Sequence, residues 1–330
     1  MKKILLVAVA ALAITSCSQN EEFENPNQKA EINFSTIVSK ATRASELTTD
    51  SLKKSDGFQV YAYNTGQDVM KADLSLAGKE FMNGVLLKWN ETDKNWGMNP
   101  AGPYYWPLDE KIQFFAYSPV SGVTYTAPTG SGYPSFNYTI GDVASQKDLV
   151  VAYANDQTKP NTPNTPVELT FKHILTQINF KLKGSDADYT YTVTEISLSD
   201  IQNKGTFTYD EPSKIGAWSS TSGTGTYVYA ATYSDFTNTA DLTIATGDNG
   251  LMLMPQALLE TAKIKITYST KKDNKKYFDG TKEVSLKDIV WNAGDKILYT
   301  LSLPSGAEEV TFKSTVGSWN TEKPEDKEAA

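Results

Sequence analysis

Few side chains in this sequence have the chemistry of a catalytic or metal-binding group. His173 is the only histidine and Cys17 the only cysteine among the 330 residues. A Ser-His-Asp triad needs a histidine beside its nucleophile, and a structural zinc site needs four nitrogen or sulfur ligands at set spacings. The sequence therefore predicts no enzyme active site, no metal centre and no cofactor. We expect His173 to be a hydrogen-bonded structural residue.

Cys17 ends a segment that is typical of an export signal. Lys2 and Lys3 precede the apolar run from Ile4 to Ile14, and two small residues then lead to the cysteine. The run is too short to span a bilayer, which takes roughly 20 apolar residues. Residues 14–17 resemble a lipobox, so we expect a lipoprotein signal peptide at 1–16 and lipidation of Cys17. Two or more acyl chains, as on bacterial lipoproteins, anchor where one binds only marginally.

The composition is that of an acidic exported protein. Without Lys2 and Lys3 the chain keeps 29 basic and 39 acidic residues, a net charge of about −10 that argues against nucleic acid as a partner. Residues 18–22 resemble the acidic signal that sends lipoproteins to the cell surface in Bacteroidota. With a single cysteine no disulfide can form within the chain, so the hydrophobic core must stabilise the fold.

The elements that position these residues are predicted to be strands. The chain is rich in Tyr, Phe, Trp, Thr and Ser, which favour sheets. Two segments, Leu47–Lys54 and Gln256–Ala262, are predicted to form a helical turn or two. Many short strands between turn residues predict an all-β fold built of antiparallel sandwiches. The predicted strands include Phe58–Tyr63, Ile112–Tyr117, Thr190–Leu198, Lys263–Tyr268 and Ile297–Leu303.

Segment 159–166 is predicted to be the linker between two domains, because three prolines there oppose both a helix and a central strand. This places an N-terminal β-sandwich domain at 44–160 and a C-terminal β-sandwich domain at 166–319. Residues 17–43 would form an acidic stalk and a removable first strand. The charged residues 320–330 are predicted to be a disordered tail.

An ordered series of motifs resembles the fimbrillin family of Bacteroidota, the subunits of type V pili, over nearly the whole chain. Each motif alone is short, and their order carries the resemblance. The series consists of the lipobox, the alternating strand Glu31–Ser39, Arg43-Ala44, Phe58–Tyr63, Tyr104–Pro107 leading to Ile112–Tyr117, Val167–His173, Leu251–Gln256 and Trp291–Asp295.

The resemblance implies a fold of two transthyretin-like antiparallel β-sandwich domains and assembly by strand exchange. In this family a trypsin-like, arginine-specific protease cuts the lipoprotein precursor and the first strand is lost. A terminal strand of another subunit then fills the groove. On this sequence the cut is expected between Arg43 and Ala44, with Lys40 as the fallback site.

Two segments match the roles that the family gives to the removed and the donated strand. In the first, Ile32, Phe34 and Val38 share one face of a half-buried strand. In the candidate donor strand, Glu309–Ser318, the side chains of Val310, Phe312 and Val316 share one face. That segment is equally well interpreted as an ordinary last strand of its own domain.

The expected function is a structural subunit of a cell-surface fimbria that supports adhesion. Its partners would be other fimbrial subunits, the processing protease and, through the lipid of the precursor, the outer membrane. Asp50-Ser51-Leu52 also resembles the acceptor pattern for O-glycosylation at Ser51 in the same bacteria.

The alternative is a glycan-binding lipoprotein of the outer membrane surface. Aromatic residues are dense enough near the middle of the N-terminal half to form a stacking platform, although aromatics in sandwiches more often belong to the core. They are Trp89, Trp96, Tyr104, Tyr105 and Trp106.

Overall fold

The computed structural model describes residues 30–38, 47–99, 102–210, 216–229, 233–237, 242–243, 250–318 and 321–327. Its helices are α1 (Thr49–Lys54) and one 3-10 turn (Val143–Ser145). The strands of the first half are β1 Phe34–Val38, β2 Phe58–Gly66, β3 Glu80–Asn90, β4 Asn95–Asn99, β5 Lys111–Ser118, β6 Val123–Thr126, β7 Ser135–Thr139, β8 Val150–Gln157 and β9 Val167–His173. Those of the second half are β10 Thr176–Gly184, β11 Thr190–Tyr209, β12 Gly216–Tyr229, β13 Tyr233–Phe236, β14 Leu242–Thr243, β15 Leu251–Leu253, β16 Gln256–Ala257, β17 Lys263–Lys272, β18 Lys275–Ser285, β19 Val290–Trp291, β20 Asp295–Leu303, β21 Thr311–Ser318 and β22 Thr321–Lys327.

The all-β prediction is confirmed, and all five predicted strands lie within strands of the structure. Helix α1 forms inside Leu47–Lys54 and begins with a capping box, in which Thr48 and Ser51 bond each other's main chain. The predicted turn of helix at Gln256–Ala262 is wrong. Gln256 and Ala257 form strand β16, paired antiparallel with β19.

The first sheet has seven strands in the order β1-β9-β8-β5-β2-β3-β4. All its described pairs are antiparallel except β1 and β9, which run parallel. Strand β1 therefore lies at one edge of the sheet and runs parallel to its neighbour β9, whereas the two strands of a hairpin run antiparallel. Strand β4 forms the other edge.

The remaining strands form two larger sheets and one small ribbon. One sheet has the order β14-β10-β20-β21-β22, with β15 also paired to β10. The other has the order β18-β17-β11-β7-β6, with β12 and β13 also paired to β11. Strands β6 and β7 come from the first half of the chain and pair with β11 of the second half. The sheets therefore do not follow the chain halves.

The proline-rich segment 159–166 connects two strands of the same sheet. Strand β8 before it and strand β9 after it both belong to the first sheet. The predicted boundary would have assigned β9 to the C-terminal domain. The chain instead leaves the first sheet after His173, where β9 ends and β10 soon begins in the next sheet.

The first sheet is buried on both faces in its middle. Along β5, Phe114 and Ala116 belong to one hydrophobic cluster, together with the side chains of β1 and β9. Phe115 and Tyr117, which point the other way, belong to a second cluster that extends through the other two large sheets. Burial on both faces explains why β5 reads as a nearly continuous apolar run.

Tyrosines join the first sheet to the sheet of β11. The Tyr209 hydroxyl on β11 donates to the carbonyl of Ala116 on β5 (2.8 Å). The hydroxyls of Tyr63 and Tyr125 lie 2.8 Å apart, between β2 and β6. Burial raises the pKa of Tyr209 well above the ordinary value, because an ionised phenol would lose its hydration there.

None of the helices in the described part of the chain has the length and apolar character that a bilayer crossing requires. Within the same residues, no group of three or more His, Cys, Asp or Glu side chains could hold a metal ion.

We predict that the protein loses stability as the pH rises above about 10. Burial raises the pKa of Tyr138 and Tyr299 to about 12, whereas unfolded tyrosine ionises near 10. Between those values the unfolded chain loses protons that the native chain keeps, so alkali favours unfolding. The urea midpoint should be lower at pH 11 than at pH 8, and Tyr138→Phe should reduce that pH dependence. A midpoint that does not change with pH would contradict the prediction.

Candidate functional site

Strand β1 lies at the edge of the first sheet, and β9 is its strand neighbour. The register pairs Phe34 with Val167, Thr36 with Leu169 and Val38 with Phe171. The Val167 amide donates to the carbonyl of Asn33 (2.7 Å) just before the strand begins. One continuous ladder of main-chain bonds therefore holds β1 along its length.

The N-terminal end of this strand is also held from its other side. The Ile32 amide donates to the carbonyl of Tyr104 (2.8 Å), and the Trp106 amide donates to the carbonyl of Ala30 (2.9 Å). The motif Tyr104-Tyr105-Trp106 thus forms a short antiparallel clasp over residues 30–32. Sequence periodicity does not predict this clasp, because it is an isolated bridge outside the strands.

The inward face of β1 is part of the core. Ile32 is 0% exposed and Phe34 and Val38 are 6% exposed, whereas Ile37 on the outer face is 48% exposed. The ring of Phe34 packs edge-on against Phe114 with centroids 5.5 Å apart. The alternation expected from the sequence is therefore present in the fold.

A hydrogen bond from Trp96 reaches Thr36, the inward residue between Phe34 and Val38 on β1. The Trp96 indole Nε1 donates to Thr36 Oγ1 (3.2 Å). Trp96 belongs to β4, the opposite edge of the same sheet, and its side chain is buried against Phe58 with centroids 4.8 Å apart. The two edge strands of the sheet, β1 and β4, therefore lie close to each other. The Trp96 indole is the hydrogen-bond donor at their contact.

The residues on either side of segment 39–46 are both tied to the body of the protein. The Val38 amide donates to Thr49 Oγ1 (3.0 Å) in α1, and the Leu47 amide donates to Asp148 Oδ2 (3.0 Å). The same carboxylate oxygen lies 2.7 Å from His173 Nδ1, and both side chains are almost fully buried. His173 is thus a hydrogen-bonded structural residue, as predicted.

Three of the predicted positions lie outside the described residues: Cys17, Arg43 and Ala44, as does the fallback site Lys40. The composition of the chain nevertheless distinguishes Arg43, which strand periodicity does not. It is the single arginine among the 31 basic residues of the chain.

The candidate donor strand is paired within its own chain. Strand β21 runs antiparallel to β20, and Phe312 packs edge-on against Tyr299 with centroids 5.5 Å apart. Val310 is buried, whereas Phe312 and Val316 are only half-buried against the core. Residues 321–327, expected to be a disordered tail, form β22 beside β21.

The Ser51 hydroxyl is occupied within α1. It accepts a bond from the Thr48 amide (2.6 Å) and bonds the Thr48 carbonyl (3.2 Å). A glycan at Ser51 would have to displace part of this capping box in the folded chain. O-glycosylation at this position stays a prediction.

The aromatic residues considered as a stacking platform do not share a plane. The rings of Trp89 and Trp96 meet at 69°, edge to face. Trp96 and Trp106 are buried, and Trp89 and Tyr104 pack against the same hydrophobic cluster. Of the five side chains, Tyr105 is the most exposed. These rings mainly build the core around β1.

The chain belongs to a known class of protein. Residues 42–319 match the model of the fimbrillin-like family, so the chain belongs to that family. The chain is similar to the fimbrium subunit Fim1C of Phocaeicola vulgatus, with 27% identity over 98% of each protein. It also resembles the crystal structure of a fimbrial protein from Bacteroides vulgatus, with 22% identity, 88% and 99% of the two chains covered and a TM-score of 0.66. This last likeness shows the fold.

We predict that truncating Phe34 destabilises the uncut protein far more than truncating its neighbour Ile37. Phe34→Ala removes a buried ring and should cost about 3 to 5 kcal/mol, whereas exposed Ile37→Ala should cost within about 0.5 kcal/mol. Urea unfolding of residues 18–330 measures both. Equal effects of the two substitutions would contradict the burial of one face of β1.

Proposed function

We propose that the protein is a fimbrial subunit that is exported as a lipoprotein through Cys17 and cut after Arg43. It then polymerises when β21 of another subunit replaces its first strand. Membership of the fimbrillin-like family supports the fimbrial role and makes other fimbrial subunits its partners. Adhesion at the cell surface would be the biological output of the assembled fibre.

The observation that carries the processing step is the solitary arginine. Because Arg43 is the only arginine, an arginine-specific protease has one cleavage site in the whole chain. The site falls between Val38 and Leu47, whose amides are bonded to Thr49 and Asp148. A single cut would therefore separate β1 from α1 while both flanking residues remain attached to the body.

The cut would convert β1 from a covalent part of the sheet into an exchangeable ligand. Burial of Ile32, Phe34 and Val38 represents roughly 5 to 9 kcal/mol, at about 1.5 to 3 kcal/mol for each large apolar side chain. Departure of the strand would also expose the main-chain edge of β9. A groove of this kind favours capture of another strand, and strand addition supplies both main-chain bonds and side-chain pockets.

The lipid and the first strand lie on the same side of Arg43. A cut there would release Cys17 and β1 together. The acyl group would then hold the precursor at the outer membrane until assembly, and an uncut subunit would stay tethered. The lipid would therefore serve to deliver the precursor, and the assembled subunits would no longer carry it.

We predict that an arginine-specific protease converts the folded precursor into a chain that starts at Ala44 and forms polymers. Arg43→Lys should abolish this cut and the polymers while leaving the charge and the fold unchanged. Intact mass and a ladder of oligomers on gels report the two steps. The proposal fails if the native protein is cut cleanly at Arg43 and remains a stable monomer at all concentrations.

We predict that a negative charge on the inward face of the candidate donor strand, Glu309–Ser318, blocks polymerisation but not cleavage. Val310→Asp and Phe312→Asp should each prevent the strand from filling an apolar groove, because a buried unpaired carboxylate is costly. Thr311→Asp places the same charge on the exposed face and should polymerise normally. Since Val310 is also buried in its own chain, thermal unfolding must confirm that each variant is folded.

A further inference from the structure

The first strand and the last part of the chain carry the same side-chain pattern. Residues 32–38 read Ile-Asn-Phe-Ser-Thr-Ile-Val, and residues 310–316 read Val-Thr-Phe-Lys-Ser-Thr-Val. Every second residue of each segment gives a β-branched aliphatic, a phenylalanine, a hydroxyl and a valine, in that order. Of the 13 phenylalanines in the chain, only Phe34 and Phe312 have this set of neighbours.

The repeated positions are the ones that the groove contacts. Phe34 packs against Phe114, Thr36 accepts the bond from Trp96, and Val38 is buried beside them in the same cluster. The intervening residues differ in charge and size, and in both segments they include exposed side chains. The similarity is therefore confined to the side chains on the face that contacts the groove.

The order of the pattern also distinguishes the two possible directions of insertion. When the segments are aligned in the same direction, Phe312 takes the place of Phe34 and Ser314 that of Thr36. In the reverse direction, Ser314 would meet the pocket of Phe34, and Phe312 would meet the indole of Trp96. Only the first alignment matches each side chain to its pocket.

We propose that the occupant of the groove is strand β21 of a second copy of this chain, inserted parallel to β9 with Ser314 accepting the hydrogen bond of Trp96. This deepens the proposed function, on which it rests, by naming the partner, the direction and the register. Trp96 then acts as a specificity-determining residue, because a strand without a hydroxyl at this position leaves a buried indole donor unpaired.

Burial favours the exchange for the same side chains. Phe312 and Val316 are half-buried where β21 lies against β20. At the positions of Phe34 and Val38 they would be almost fully buried. The donor strand therefore has apolar surface left to bury, and the groove offers the pockets for it.

Cysteine pairs test the direction and register in the polymer. Thr170 is the partner of the outward residue Ile37 in the register of β1 and β9. In the proposed register Thr315 takes the place of Ile37, and in the reverse direction Thr311 does. Paired Cα atoms in a sheet lie within reach of a disulfide. After the cut, Thr170→Cys with Thr315→Cys should therefore link subunits under oxidation, and Thr170→Cys with Thr311→Cys should not.

The chain suits this experiment because it has no cysteine other than Cys17, which is absent from a precursor that begins at residue 18. The uncut double-cysteine protein is the control and should give no intersubunit links. Links formed only by the Thr311→Cys pair would overturn the direction proposed here.

The role of Trp96 is tested by Ser314→Val, Trp96→Phe and the combination of the two. Each single variant should weaken the association of cut chains on the order of tenfold. The double variant should bind no more weakly than the single variant with the lower affinity, because both substitutions remove the same hydrogen bond. Thr315→Val, on the outward face, is the matched control and should associate like the unmodified chain. Ser314→Val associating as tightly as the control would overturn the hydroxyl assignment.

The outcomes separate this inference from the proposed function. If cut chains of the unmodified protein do not polymerise at all, donor-strand assembly itself fails. If they polymerise but link through Thr311, or are insensitive to Ser314, assembly stands and the register is wrong. If they polymerise only when a different fimbrial subunit is added, assembly stands and the claim of a second copy is wrong.

Discussion

The fold depends on keeping the space beside β9 filled by a strand. That space has apolar pockets on one wall, a row of main-chain bonding groups along β9 and a buried indole from the far edge of the sheet. A polypeptide satisfies all three together, because only an extended chain presents side chains and main-chain groups in the required alternation. Water would satisfy the main-chain groups and leave the pockets exposed. In the uncut protein residues 32–38 meet all of these demands.

The first sheet is also the element that the rest of the molecule shares. Its middle strand β5 sends Phe114 into one hydrophobic cluster and Phe115 into the other. Tyr209 then fastens the sheet of β11 to the β5 main chain. Exchange of a strand at the edge of this sheet would leave the central strands covered on both faces. The proposed exchange would therefore change the edge of the sheet while its middle remains packed.

Local patterns in the sequence predicted the strands well, and long-range pairing limited the rest. Alternation identified β2, β11, β17 and β20, and a nearly continuous apolar run identified β5, because each has one or two faces in a core. It did not show that β7 pairs with β11 across some 70 residues, nor that β9 stays in the first sheet beyond the prolines. The Gln256–Ala262 segment was misjudged because the two-residue pairing of β16 with β19 leaves no periodicity to detect.

The candidate site divides in the same way. The inward residues of β1 follow from alternation alone, whereas the indole bond of Trp96 joins two residues about 60 positions apart in the chain. The Asp148 contact that fixes Leu47 spans 101 positions. The aromatic residues were recognisable as a group, but only the fold tells a stacking surface from a core. The solitary arginine needed no structure, since it is a property of composition rather than of pattern.

The proposed pairing of a donor strand at one end of the chain with a groove near the other end has a consequence for symmetry. Two different surfaces meet in such a contact, so it is heterologous and does not require a two-fold axis. Repetition of one rotation and one translation then produces an open chain whose ends differ: one end subunit has an unfilled groove and the other an unused strand. Growth could be stopped at either end by a subunit that lacks the matching half.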